Sequence, residues 1–75
     1  MKYFALVVWL FATDGRDETF TFDRFVSRDD CRAAVAYQME SIIADALTVV
    51  ETVEAMTGRR FADEIDVTCI LEAAI

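Results

Sequence analysis

The chain has 75 residues and a mass of 8.5 kDa, room for one small domain spanning residues 1–75. It contains no histidine and two cysteines, which excludes Ser-His-Asp and Cys-His catalysis, His-ligated metals and a four-thiolate zinc site. Its net charge of −7, from 14 acidic and 7 basic residues, argues against wrapping nucleic acid, where Lys and Arg must meet phosphate.

After Met1-Lys2 the chain is apolar from Tyr3 to Ala12. A secretory signal has this order, but the run is short for one and is half of the roughly 20 residues of a membrane span. The reading adopted is a central, buried strand. Tyr3, Val7, Trp9 and Phe11 then fall on one face, and Phe4, Leu6, Val8 and Leu10 on the other. Asp14-Gly15 follows, a strong hairpin signal. Thr19-Phe20-Thr21-Phe22 alternates polar with apolar, so residues 2–12 and 19–25 are expected to pair antiparallel.

Ser27-Arg28-Asp29-Asp30 is a shortened capping box, with Asp in place of the usual Glu or Gln. Val26 and Cys31 are placed to form its hydrophobic staple. Residues 28–57 contain neither Gly nor Pro. Val35, Met39, Ile42, Ala46, Val49, Val53 and Met56 recur at helical spacing, and Gly58 stands where a helix ends. A helix of that length spans about 45 Å. The strands reach only about 25 Å, so the helix either overhangs the sheet or bends, with the β-branched cluster at Val49–Val53 as the expected break. Glu64 to Leu71 alternates again and reads as a last strand.

The order β-β-α-β predicts an α+β fold. A three-stranded antiparallel sheet has the first strand in the middle, and one long helix packs on one face. Apolar residues make up 56% of the chain, yet a molecule of this mass buries only about 62% of its surface. An uncovered sheet face is therefore expected to meet a partner or a second copy. Trp9, Phe11, Phe20 and Phe22 on the sheet, and Val49, Val53 and Met56 on the helix overhang, are the candidates for self-association, with a homodimer expected.

Two further groups stand out. Cys31 and Cys69 both fall on core-facing positions and are expected within bonding reach; a disulfide and two free thiols in a reducing cytosol both remain open. Asp14, Asp17, Glu18 and Asp23 gather at the hairpin, and Asp63, Glu64 and Asp66 lead into the last strand. None has calcium-loop spacing, and no cofactor or metal is implied. These acids are the candidate contacts to a basic site on a protein partner, reached with electrostatic steering. Arg24, Arg28 and Arg32, interleaved with Asp23, Asp29 and Asp30, read as a surface salt-bridge cluster rather than a phosphate site.

The layout Phe20-x-Phe22-x-x-Phe25-x-Ser27, then Cys31-x-x-Ala34 and a late Cys69, resembles small phage and prophage proteins. Within that group, size, acidity and the missing catalytic residues resemble the anti-CRISPR proteins. The resemblance implies a non-catalytic inhibitor in the host cytoplasm that binds a CRISPR effector complex at its nucleic-acid-binding surface. Anti-CRISPR proteins share no common motif, so no residue roles carry over. The alternative is a homodimeric structural or interaction module that uses its apolar sheet face or helix overhang.

Overall fold

The computed structural model describes residues 2–73. Its elements run β1 (Lys2–Ala12), β2 (Glu18–Phe25), α1 (Arg28–Tyr37), α2 (Met39–Thr57) and β3 (Phe61–Ala73). The sheet order is β2-β1-β3, with β1 antiparallel to both neighbours. The expected α+β architecture with a central first strand is thus the one observed. Both helices lie on one face. There Leu6, Val8 and Leu10 of β1 are buried with Cys31, Ala34, Ile42 and Ala46.

One expectation about the helix fails. The segment 28–57 is two helices, bent by 79° at Gln38, and the Val49–Val53 cluster lies inside continuous α2. Gln38 leaves helical geometry at φ −114° and ψ 20°. The core-facing stripe explains the position. Residues 31, 35, 38, 42 and 46 share one helical face, and Gln38 is its polar member. A straight helix would press that amide into the apolar interface, at a cost of about 1–3 kcal/mol if unpartnered. Bending leaves Gln38 exposed and lays α2 back on the sheet through Ile42 and Ala46. The backbone ladder survives the bend, since Gln38 N–H donates to Ala34 O and Ile42 N–H to Gln38 O.

The start of α1 follows the cap signature, with Ser27 Oγ accepting from Asp30 N–H at 3.1 Å. The staple does not form, because Val26 is 85% exposed while Cys31 is buried. The hydroxyl therefore carries the cap alone, and Ser27→Ala is expected to cost about 1 kcal/mol in urea unfolding. A loss below a few tenths would show that the cap is idle. At the far end Gly58 takes φ +74°, the left-handed conformation in which a glycine ends a helix without strain.

The last strand is longer than its alternating core suggested. It begins at Phe61, whose N–H donates to Glu54 Oε2 at 3.1 Å. Total exposed surface is 5246 Å², above the about 4,700 Å² typical of this mass.

Candidate functional site

Register sorts the sheet residues into two faces. Phe20 is opposite Val8 and Phe25 opposite Phe4, so both look toward the helices. The register shift between Leu6 and Val7 leaves Phe22 without a partner on β1, and Phe22 also packs against the core. Phe20 and Phe22 are therefore core residues and drop out of the candidate contact face. Val49 joins them there, Val53 is half-buried, and Met56 alone of that trio is largely exposed, at 80%.

The uncovered face carries Tyr3, Ala5, Val7, Trp9 and Phe11 down its centre, none of them part of the helix-side core. Thr19 and Thr21 flank Trp9 and Val7 on β2. Asp66 and Thr68 flank the same two residues on β3. Trp9 is half-buried, and its indole N–H donates to Thr68 Oγ1 at 3.3 Å, which holds the ring against the sheet. At the other end, the Arg24 guanidinium lies 5.5 Å from the Tyr3 ring centre and 3.9 Å from Glu72. This bridge spans the sheet over Ala5, the register partner of Arg24, and neutralises that end.

The acids divide in the same way. The hairpin group is exposed as expected, but two of its members are already matched by arginine. Arg59 Nη1 meets Glu18 Oε1 at 2.6 Å, its Nε lies 3.6 Å from Asp14, and its Nη2 donates to the Arg16 carbonyl. Arg16 pairs with Asp14 at 3.1 Å as well. Asp17 and Asp23 each accept a backbone N–H, from Ala12 and Arg24. Asp63, Glu64 and Asp66 are exposed and, like Asp17 and Asp23, make no ion pair among the described residues; Asp66 Oδ1 accepts the Val67 N–H at 2.9 Å. Asp66 is the one that stands in register with an aromatic of the open face, Trp9.

Sequence reasoning missed the role of Arg59, which is only 18% exposed and stacks 5.3 Å from the Phe61 ring centre. Its only signal in the sequence is a basic residue following a helix-ending glycine. Its effect is to pin the 13–17 loop to the start of β3, beside the hydrogen bonds from Thr13 N–H and Oγ to Arg60 O. The Arg16 N–H and guanidinium, with Arg59, hold the Asp14 carboxyl below its ordinary 3.8, against a smaller opposing effect of burial. A depressed carboxylate stabilises the fold above its unfolded value and loses that contribution as pH falls through the folded one. The 13–17 loop is therefore expected to open below about pH 3.8, and Arg59→Met to open it already at neutral pH. Faster amide exchange at Gly15 and Arg16 is the readout, and unchanged exchange in that variant would refute the pinning.

The arginine cluster also differs from expectation. Arg24 alone is ion-paired, while Arg28 and Arg32 make no ion pair among the described residues. The cysteines do meet, as a Cys31–Cys69 disulfide with Cα atoms 6.2 Å apart. No group of three or more metal-ligating side chains occurs among the described residues. Among those residues no single helix is long and apolar enough to cross a membrane. No protein-family model, curated protein or solved structure matches the chain.

A half-buried indole with an unpaired carboxylate in the next strand can capture a Lys or Arg side chain. The ring face attracts the cation and the carboxylate pairs with it, and neighbours in register sit about 5 Å apart at Cβ. Tyr3 and Phe11, both half-buried, extend this pair into an apolar surface over buried Val7. The two properties that the sequence showed separately, acidity and apolar excess, meet at Trp9 and Asp66.

Proposed function

We propose that the protein is a non-catalytic binding module, an inhibitor that docks its open sheet face on a basic surface of a larger protein. The observation that carries this reading is Asp66, without an ion pair among the described residues and in register with half-buried Trp9 on a face that no described element covers. The contact set moves accordingly from the hairpin acids to Trp9, Phe11 and Asp66, with Asp63 and Glu64 at the rim. A partner site built to hold nucleic acid has the required basic side chains. Together with the resemblance to anti-CRISPR proteins, this makes a CRISPR effector complex in the host cytoplasm the partner to try first.

The test is binding to a purified effector complex, with competition against its target DNA. Trp9→Ala is expected to weaken binding roughly 30-fold, equivalent to about 2 kcal/mol for a central aromatic contact. Asp66→Lys should weaken it more than Asp66→Asn, and rising salt should weaken it further. Glu51→Lys on exposed α2 serves as the control for overall charge. If Glu51→Lys weakens binding while the Trp9 and Asp66 variants bind as wild type, the face is wrong.

A second reading rests on a separate observation. Met39, Ile43 and Leu47, spaced four apart along α2, are all exposed. Two copies packing along that row would give a homodimer through a surface other than the sheet face and the Val49–Met56 overhang expected from the sequence. Light scattering of wild type against Leu47→Glu decides it, because only this dimer is broken by a charge on α2.

A further inference from the structure

A groove of about 360 Å³ opens between α1 and β3, lined by Arg28, Arg32, Val35, Val67, Thr68 and Cys69. Three of its properties point the same way. Arg28 and Arg32 are one helical turn apart, exposed and without an ion pair among the described residues. The Arg28 guanidinium lies 5.3 Å from the Phe4 ring centre, within cation–π range. The disulfide itself reaches this groove through Cys69, which is half-buried, whereas Cys31 is wholly buried. Of the two cysteines, only Cys69 lines the groove.

We infer that the groove is a receptor for a small anionic thiol of the glutathione class, which opens the Cys31–Cys69 bridge by exchange at Cys69. Arg28 and Arg32 hold the carboxylates of the incoming molecule, in geometry that guanidinium and carboxylate share. Its thiolate attacks Cys69 Sγ. A new sulfur–sulfur bond forms between the thiol and Cys69 as the Cys69–Cys31 bond breaks, and the electron pair leaves on Cys31 Sγ. Cys31 is the fourth residue of α1 and is wholly buried, so the displaced sulfur stays inside the core. A second thiolate attacking the mixed disulfide releases Cys69 and completes the reduction, with the two small thiols leaving as their own disulfide. The groove thus makes the bridge that closes the fold addressable from solution without prior unfolding. This inference does not depend on the proposed partner, since the arginines and cysteines it uses lie on the helix side of the sheet.

The full-length oxidised protein is treated with three small thiols, anionic 3-mercaptopropionate, neutral 2-mercaptoethanol and cationic cysteamine. Reduction is followed by mass spectrometry, and rates are expressed per thiolate. Wild type should react roughly tenfold faster with the anionic thiol than with the neutral one, the low end of electrostatic rate enhancement, and slowest with the cationic one. The preference should shrink at high salt. It should vanish in an Arg28→Gln, Arg32→Gln double variant and persist in Arg60→Gln, which lies outside the groove. Equal rates for the three thiols in wild type would overturn the inference, as would a preference that survives in the double variant. So would a rate independent of thiol concentration, because the bridge would then open only after the chain itself unfolds.

Discussion

Removing the Cys31–Cys69 bridge is expected to lower stability by about 4 kcal/mol. The two cysteines are 38 residues apart in sequence, and the loop-entropy relation gives about that figure for such a span. A domain of this size has a total stability of only about 4–11 kcal/mol. The bridge also ties α1 to β3, the strand farthest from it in the chain, so its loss frees the connection that closes the fold. Cys31→Ala with Cys69→Ala should show a Tm lower by roughly 15–30 °C, at about 4–8 °C per kcal/mol for a domain of 60–100 residues. Reduction of the wild type should reproduce most of that shift without any change in packing volume. A drop of only a few degrees by both routes would mean that the sheet and helices hold together without the bridge.

Leu6→Ala is expected to cost about 3–5 kcal/mol in urea unfolding. Leu6 is wholly buried in the central strand, with Asp23 as its register partner on β2 and Cys69 on β3. It belongs to the helix-side cluster with Val8, Leu10 and Ile42, so a truncation leaves a cavity that has no loop or chain end able to collapse into it. Leu71 sits on the same face of the sheet but is 50% exposed. Leu71→Ala should therefore cost about 1 kcal/mol, because half of that side chain already meets water. Equal costs at the two positions would contradict the assignment of the core.

Strand order, the hairpin and the start of α1 were legible because each rests on a local rule that nothing overrides. The Tyr3–Ala12 run has no polar break, Asp14-Gly15 supplies a turn in which Gly15 takes φ +82°, and Ser27 caps its helix. The cysteines were legible as a pair because both positions face the core, although their oxidation was not. What escaped needed knowledge of three-dimensional neighbours. The bend at Gln38 comes from one amide on an otherwise apolar stripe, a weaker mark than the β-branched cluster at Val49–Val53, which the helix tolerates. Alternation put Phe20 and Phe22 on one face of β2, as observed, but which face of β1 they share is set by register, which a two-residue period does not reveal. The hairpin acids looked free because their neutraliser, Arg59, is 41 residues from Glu18 and comes near only when β3 pairs with β1. The same pairing sets Asp66 beside Trp9, 57 positions earlier in the chain.

The central claim is that the face bearing Trp9 is the one that meets the partner. Trp9 is the sole tryptophan of the chain, so its fluorescence reports on that face with no added label. The direct measurement is acrylamide quenching of Trp9 in the free protein and in its complex with the effector, using tryptophan-free or tryptophan-analogue partner protein to keep the signal unique. Docking through the open face predicts that the quenching constant falls several-fold on binding and that the emission shifts to the blue. A complex in which Trp9 remains as quenchable as in the free protein would contradict the claim and leave the Met39–Ile43–Leu47 row of α2 as the contact surface.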